Sequence, residues 1–249
     1  MSESTLFAGR AVVVTGGGSG IGRAVARQFA AAGADVLVVG RTKETLEETA
    51  AGTAMRIEVA DVATTDGRDA IVESAVREFG RIDVLVNNAG ITRPAPLGAI
   101  DPDIAEQQFA TNLVGPLFLT QSAMPHVGPG GVVVNVTSNS PHQGWPGASV
   151  YGATKVAMDF LTKTWALELA ERGIRVVSVA PGITGTPILS NAGLTPEQLE
   201  SAQQYVSRIP LARIADPAEI AWWIVTVARA EANYLTGQVI RVDGGLSAG

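Results

Sequence analysis

Short aliphatic runs alternate with longer stretches of mixed polarity along the whole chain. Ala11-Val12-Val13-Val14, Asp35 to Val39, Ala54 to Val59, Ile82 to Val86, Val132 to Val136, Arg175 to Val179 and Gln238 to Val242 are short and rich in β-branched side chains. Such runs predict strands. They read as continuous aliphatic segments, as in a sheet covered on both faces. Between them lie helical patterns, from Arg23 to about Ala32 before Gly33, and at about Lys43–Ala50 and Asp66–Phe79. Further ones run from Asp103 to about Ala123, from Tyr151 to near Arg172, and at about Pro196–Val206 and Pro217–Ala230. Gly115-Pro116 should kink or interrupt the fourth of these, because proline lacks the amide donor. The alternation of strand and helix argues for a parallel sheet wound on both faces. No linker, repeat or low-complexity segment divides residues 1–249, so a single domain is expected.

Composition narrows the function. With 46% hydrophobic but only 5% aromatic residues, the core is Ala, Val, Ile and Leu. A net charge of −6 offers no basic surface to phosphates, which argues against nucleic-acid binding. The absence of cysteine excludes disulfides, thiolate ligands and a Cys nucleophile. Met1-Ser2-Glu3-Ser4-Thr5 lacks the basic start and apolar core of a signal peptide, and no apolar run is long enough to span a bilayer. A soluble, cytoplasmic protein is expected. The two histidines, His126 and His142, make no metal-binding pair, so no metal is expected.

Three stretches carry chemistry. Thr15-Gly16-Gly17-Gly18-Ser19-Gly20-Ile21-Gly22 follows the first strand and opens a helix. Strand, glycine turn and helix N-terminus form an anion site whose amides face a phosphate, which points to a dinucleotide. The second strand ends at Gly40-Arg41-Thr42, where an acid would hold the ribose 2′-OH of NAD. Arg41 suits a 2′-phosphate instead, which favours NADP with NAD as the competitor; a capping role at an exposed turn is the other reading. Tyr151 and Lys155 lie one helical turn apart on one face. An ammonium beside a phenol lowers its pKa and prepares it for proton transfer, although the same spacing also occurs as a plain surface pair.

In order and spacing the motifs resemble the short-chain dehydrogenase/reductase family over nearly the whole chain. They are Thr15-Gly16-x-x-x-Gly20-Ile21-Gly22, Asn87-Asn88-Ala89-Gly90, Asn112, Ser138 and Tyr151-x-x-x-Lys155. Pro181-Gly182, Pro210 to Arg213, Thr236-Gly237-Gln238 and Val242-Asp243-Gly244-Gly245 complete the match. The resemblance implies a Rossmann-type sheet of order 3-2-1-4-5-6-7, with the cofactor across the C-terminal strand ends. It implies an oxidoreductase moving hydride between nicotinamide and a secondary alcohol or ketone. Tyr151 is then the general acid/base and Ser138 a donor to the reacting oxygen. Lys155 tunes Tyr151 and holds the nicotinamide ribose, and Asn112 supports a water relay to Lys155. Gly16, Gly18, Ser19, Gly20, Ile21 and Gly22 go to the cofactor, with Asp61 and Val62 at adenine. Asn88, Ala89 and Gly90 flank a ribose; Thr184 and Thr186, beside Pro181 and Gly182, meet the nicotinamide amide.

Two departures stand out. Ser19 occupies a place where NADP-preferring relatives often carry a base, which weakens the NADP reading without reversing it. His142 and Trp145 stand where many relatives have small residues. Trp145 reads equally as the wall of an apolar pocket or as a packing or subunit contact, and His142 as a solvated loop residue. A cofactor-binding sensor, or a lyase on the same fold, would not need Ser138, Tyr151, Lys155 and Asn112 together. Ile188, Leu189 and Leu194, in the loop from Ile183 to Ser207, suggest an apolar, medium-sized substrate. The helix Ser149–Arg172 and the apolar Ala221–Ala228 should leave faces for a homotetramer, with Trp222-Trp223 in core or interface.

Overall fold

The aliphatic runs form seven strands: β1 (Ala11–Thr15), β2 (Asp35–Gly40), β3 (Arg56–Val59), β4 (Ile82–Asn87), β5 (Val127–Val136), β6 (Arg175–Pro181) and β7 (Val239–Val242). In the computed structural model, which describes residues 5–139, 144–190 and 206–248, they pair in parallel in the order β3-β2-β1-β4-β5-β6-β7. The helices are α1 (Gly20–Ala31), α2 (Lys43–Ala50), α3 (Thr65–Phe79), α4 (Pro102–Phe109) and α5 (Gly115–Ala123). They continue as α6 (Ser149–Glu168), α7 (Pro187–Ser190) and α8 (Pro217–Ala228). Successive strand residues point to opposite faces, so each aliphatic run feeds two layers. Val12, Val14, Val36 and Val38 pack with Val25 and Phe29 of α1 and Ile220 and Ile224 of α8. Val13, Leu37 and Val39 pack with Ile71 of α3 and Leu119 of α5. Fully burying one such aliphatic side chain is worth roughly 1.5–3 kcal/mol, which is why the central strands are mostly aliphatic on both faces, whereas the edge strand β3 carries Arg56 and Glu58.

Local departures have local causes. β5 starts at Val127, five residues before the expected Val132. Ile82 pairs with Val127 and Val84 with Val132, so Gly128-Pro129-Gly130-Gly131 bulge out between paired positions. Glycine and proline there read as a turn before the strand, although the pairing begins ahead of them. The expected break at Gly115-Pro116 is instead a wide π turn, Ala110–Val114, between α4 and α5. Pro116 has no amide to donate, and the Gly115 amide reaches back to the Ala110 carbonyl. The expected helix Pro196–Val206, apart from Val206, lies outside the described residues, as do His142 and Leu194.

Helix starts differ in a way that marks the site. The Asp101 carboxylate caps α4, the Thr64 hydroxyl caps α3, and Asp216 with Glu219 forms a capping box on α8. α1 begins at Ser19 with no side-chain cap. Its first-turn amides keep their capacity for another acceptor at the C-terminal edge of the sheet.

Candidate active site

The glycine turn after β1 is shaped by close approach. Gly16 has φ +64°, and a Cβ there would sit 2.8 Å from the Ala89 Cα. A Cβ on Gly22 would run into the Gly16 carbonyl oxygen. Thr15 and Asn88 tie this turn to the end of β4. The Asn88 amide side chain donates to the Thr15 and Gly16 carbonyls at 2.8 and 3.2 Å, and the Thr15 hydroxyl accepts from the Asn88 and Ala89 amides. Arg23 pins the turn from the other side, donating to the Gly18 carbonyl at 2.6 Å and to Glu48 at 2.8 Å. Main chain therefore lines a cleft of about 460 Å³ that is bounded by Gly16, Gly18, Ser19, Gly20, Ile21 and Gly22. Arg41, Asp61, Val62, Asn88, Ala89, Gly90 and Thr186 complete its wall. Every position expected at the adenosine and pyrophosphate end is thus brought together. Side chains at the glycines would fill this cradle, and the uncapped start of α1 borders it, so the residues fit a dinucleotide.

A second cavity of about 490 Å³ adjoins the first, sharing Ile21, Asn88, Gly90, Thr92, Thr186 and Ile188 with it. Ser138, Tyr151, Lys155, Pro181, Gly182 and Thr184 all line it. Tyr151 and Lys155 sit in the first two turns of α6, and Ser138 lies just past the end of β5. The Ser138 hydroxyl is hydrogen-bonded to Tyr151, and the Lys155 ammonium donates to the Val136 carbonyl at 3.0 Å. Lys155 Nζ lies 5.6 Å from the centre of the Tyr151 ring. Burial brings the ammonium down to about 8, and Asp159, one turn farther along α6, works against the fall. The sequence reading that Lys155 lowers the Tyr151 pKa needs correcting. Desolvation dominates and pushes the phenol above its ordinary value, with the Ser138 hydrogen bond acting the other way. A phenol in this state keeps its proton until an acceptor arrives.

Asn112 lines neither cavity. It is buried in the π turn, and its side chain accepts from the Ile91 amide at 2.8 Å and donates to the Ile91 carbonyl at 2.9 Å. Its Oδ1 and Lys155 Nζ nevertheless flank Gly90, at 3.4 and 3.6 Å from where a Cβ would stand. Trp145, half-buried, lines the second cavity with Pro94, Pro96, Ile183 and Ile188. Asn139, Thr92 and Arg93 escaped the sequence reading. Asn139 follows Ser138 directly and lines the same cavity, so adjacency was the available signal. Thr92 and Arg93 sit in a loop with no pattern to mark them.

The comparisons follow this geometry. A family model described as Enoyl-(Acyl carrier protein) reductase matches residues 16–247. A solved short-chain dehydrogenase/reductase of unknown function from Caenorhabditis elegans, with cofactor, superposes at TM-score 0.88 with 36% identity, covering 97% of this chain and 96% of that one. The chain belongs to the short-chain dehydrogenase/reductase family. Among the family's curated members, the 3-oxoacyl-(acyl-carrier-protein) reductase FabG of Thermotoga maritima is 40% identical, over 96% of this chain and 98% of the relative. The 3beta-hydroxysteroid dehydrogenase 1 of Eggerthella lenta is 34% identical, over 96% and 94%. As a short-chain dehydrogenase/reductase the protein is an NAD(P)-dependent oxidoreductase acting on small molecules. Among the described residues, no helix is long and apolar enough to cross a membrane.

Proposed function

We propose that residues 1–249 work as one cytoplasmic domain that reduces an uncharged, apolar ketone or oxidises the matching secondary alcohol. The observation behind this reading is that Ser138, Tyr151 and Lys155 converge on one cavity, which meets the glycine-lined cleft at Asn88 and Gly90. The nicotinamide cofactor supplies or accepts the hydride when bound. Tyr151 hands its proton to the substrate oxygen as negative charge develops there, and Ser138 donates a hydrogen bond to the same oxygen. Lys155 opposes the charge left on the phenolate and holds the nicotinamide ribose, beside Thr184 and Thr186. Asn112 supports the proton relay by fixing the Ile91 backbone next to Gly90, which Lys155 flanks. Among the described residues Lys155 is the sole charged residue lining the second cavity, so an anionic substrate would find no separate partner there. Incubating the protein with NADPH or NADH and a panel of ketones, and following loss of reduced cofactor, tests this; no turnover with any ketone would refute it.

NADP is the favoured cofactor, because Arg41 stands exposed at the rim of the cleft. Asp61 lies 3.8 Å from the Arg41 guanidinium and competes for it, which keeps NAD as the alternative. The protein is proposed to assemble as a homotetramer. On α6 the exposed Val156, Phe160 and Leu167 are the apolar surface left over. On α8 it is Trp222 and Trp223, stacked edge to face at 5.1 Å, whereas Ala221, Ile224, Val227 and Ala228 are spent inward on the sheet. Light scattering that returned a monomer at micromolar concentration would overturn the assembly.

A further inference from the structure

Asp159 is a carboxylate with no part in the reaction just described, yet it is only 8% exposed and stands one helical turn from the catalytic lysine. Tyr151, Lys155 and Asp159 follow one another at intervals of four on α6 and so share one face of the helix. An acid placed C-terminal to its lysine is the weaker order for a plain helix-surface pair, so helix propensity gives no reason for it. A buried carboxylate is costly unless charge and hydrogen bonds meet it. Here Lys155, Lys163 and Arg241 supply opposite charge from α6 and β7, and Thr137 stands beside the carboxylate just past β5. Lys163 is exposed, while Lys155 is 5% exposed and held to the Val136 carbonyl. Asp159 thus lies beside Thr137, between Val136, whose carbonyl holds Lys155, and Ser138.

We propose that Asp159 is a positioning residue, the counter-charge that keeps Lys155 protonated within the site and so sets the upper pH limit of carbonyl reduction. The proposal rests on the oxidoreductase reading above. Desolvation alone would release the Lys155 proton early, and the nearby carboxylate favours the charged form. The balance leaves Lys155 at about 8 and Asp159, raised by its own burial, at about 6. Between those values both groups are charged and the pair is intact. Above the upper one Lys155 is neutral, and nothing opposes the charge developing on Tyr151. Because Tyr151 itself titrates above its ordinary value, the basic limb of reduction belongs to Lys155.

The test is the pH profile of ketone reduction in the full-length protein and in Asp159→Asn, which keeps the size and polarity of the side chain and loses its charge. The neutral variant should move the basic limb down by about one pH unit. Between about pH 6 and about pH 8 its rate should then fall about tenfold, against about twofold for the wild type. Asp159→Glu, which restores the charge, should return the limb toward its original position. Asp159→Ser serves as the neutral variant if Asn does not fold. A rate reduced equally at every pH, with the limb unmoved, would make Asp159 a packing residue and overturn the proposal. Absence of NAD(P)H-dependent reduction in the wild type would instead sink the underlying reading, and would be seen before any variant was made.

Discussion

The two cavities that meet at Gly90 are built on opposite principles. The cofactor cleft is made largely of main chain: a glycine turn whose Cβ positions are filled by neighbours, and the uncapped start of α1. The second cavity, proposed for the substrate, is walled by side chains sent from separate segments: Pro94 and Pro96 after β4, Trp145 before α6, Ile183 after β6 and Ile188 in α7. Backbone geometry tolerates almost no substitution, whereas a wall of loop side chains can change one residue at a time. The contrast explains how one scaffold keeps its cofactor while relatives with differently named activities share it.

That contrast can be broken at four places, in falling order of effect. In the second cavity, Tyr151→Phe should lower turnover by about 10²–10⁴ while cofactor binding persists, because only the proton donor is lost. Steady-state rates and a fluorescence titration measure the two separately, and more than about a tenth of the rate remaining would contradict the role. In the cleft, Gly22→Ala places a methyl group against the Gly16 carbonyl and should lower kcat/KM for the cofactor roughly 100-fold by misplacing the turn. Soluble expression with unchanged cofactor kinetics would show that the turn has more slack than its geometry implies.

Arg41→Asp should weaken NADPH about 10- to 100-fold and NADH far less, since a charge-assisted contact becomes a repulsion. Competitive titration of the two cofactors decides it, and a wild type that already prefers NADH would reduce Arg41 to the partner of Asp61. The mildest change lies in the other cavity. Trp145→Ala should cost about tenfold in kcat/KM for bulky ketones and leave cofactor affinity alone, as expected of a replaceable wall. If both kinetic constants and cofactor affinity fell together, the two cavities would be one mechanical unit.

The sequence disclosed the backbone-built half more fully than the other. A glycine is demanded by a positive φ or by a neighbour at contact distance, so Gly16, Gly20 and Gly22 announce their cleft in one line of text. The strands were equally legible, because burial on both faces makes them mostly aliphatic, with polar residues such as Asn87, Asn135 and Ser178 few among them. Tyr151 and Lys155 were visible through helix spacing, but their electrostatics were not. Spacing cannot say how dry a site is, and dryness reverses the direction of the Tyr151 shift. Asn139, Thr92 and the apolar wall became meaningful only once β4, β5 and β6 were set side by side. The inward aim of Ala221, Ile224 and Val227, with Trp222 and Trp223 outside, was hidden for another reason: α8 is apolar almost all round, so its pattern names no inner face.

The π turn at Ala110–Val114 bears on how this chain could shorten. A turn closed by five residues rather than four amounts to one residue added to a continuous helix. Deleting a single residue there would let α4 and α5 merge into one regular helix with their inward faces still in phase, so Gln108 and Leu119 would stay buried. The change would cost the fold about 3 kcal/mol, because Pro116 would then sit inside a regular helix. It would also remove the outward step that aims Asn112 at Ile91. A lineage that lost that residue would keep its architecture and its cofactor cradle while losing one support beneath its chemistry, which makes this turn a place where folding and catalysis can be inherited separately.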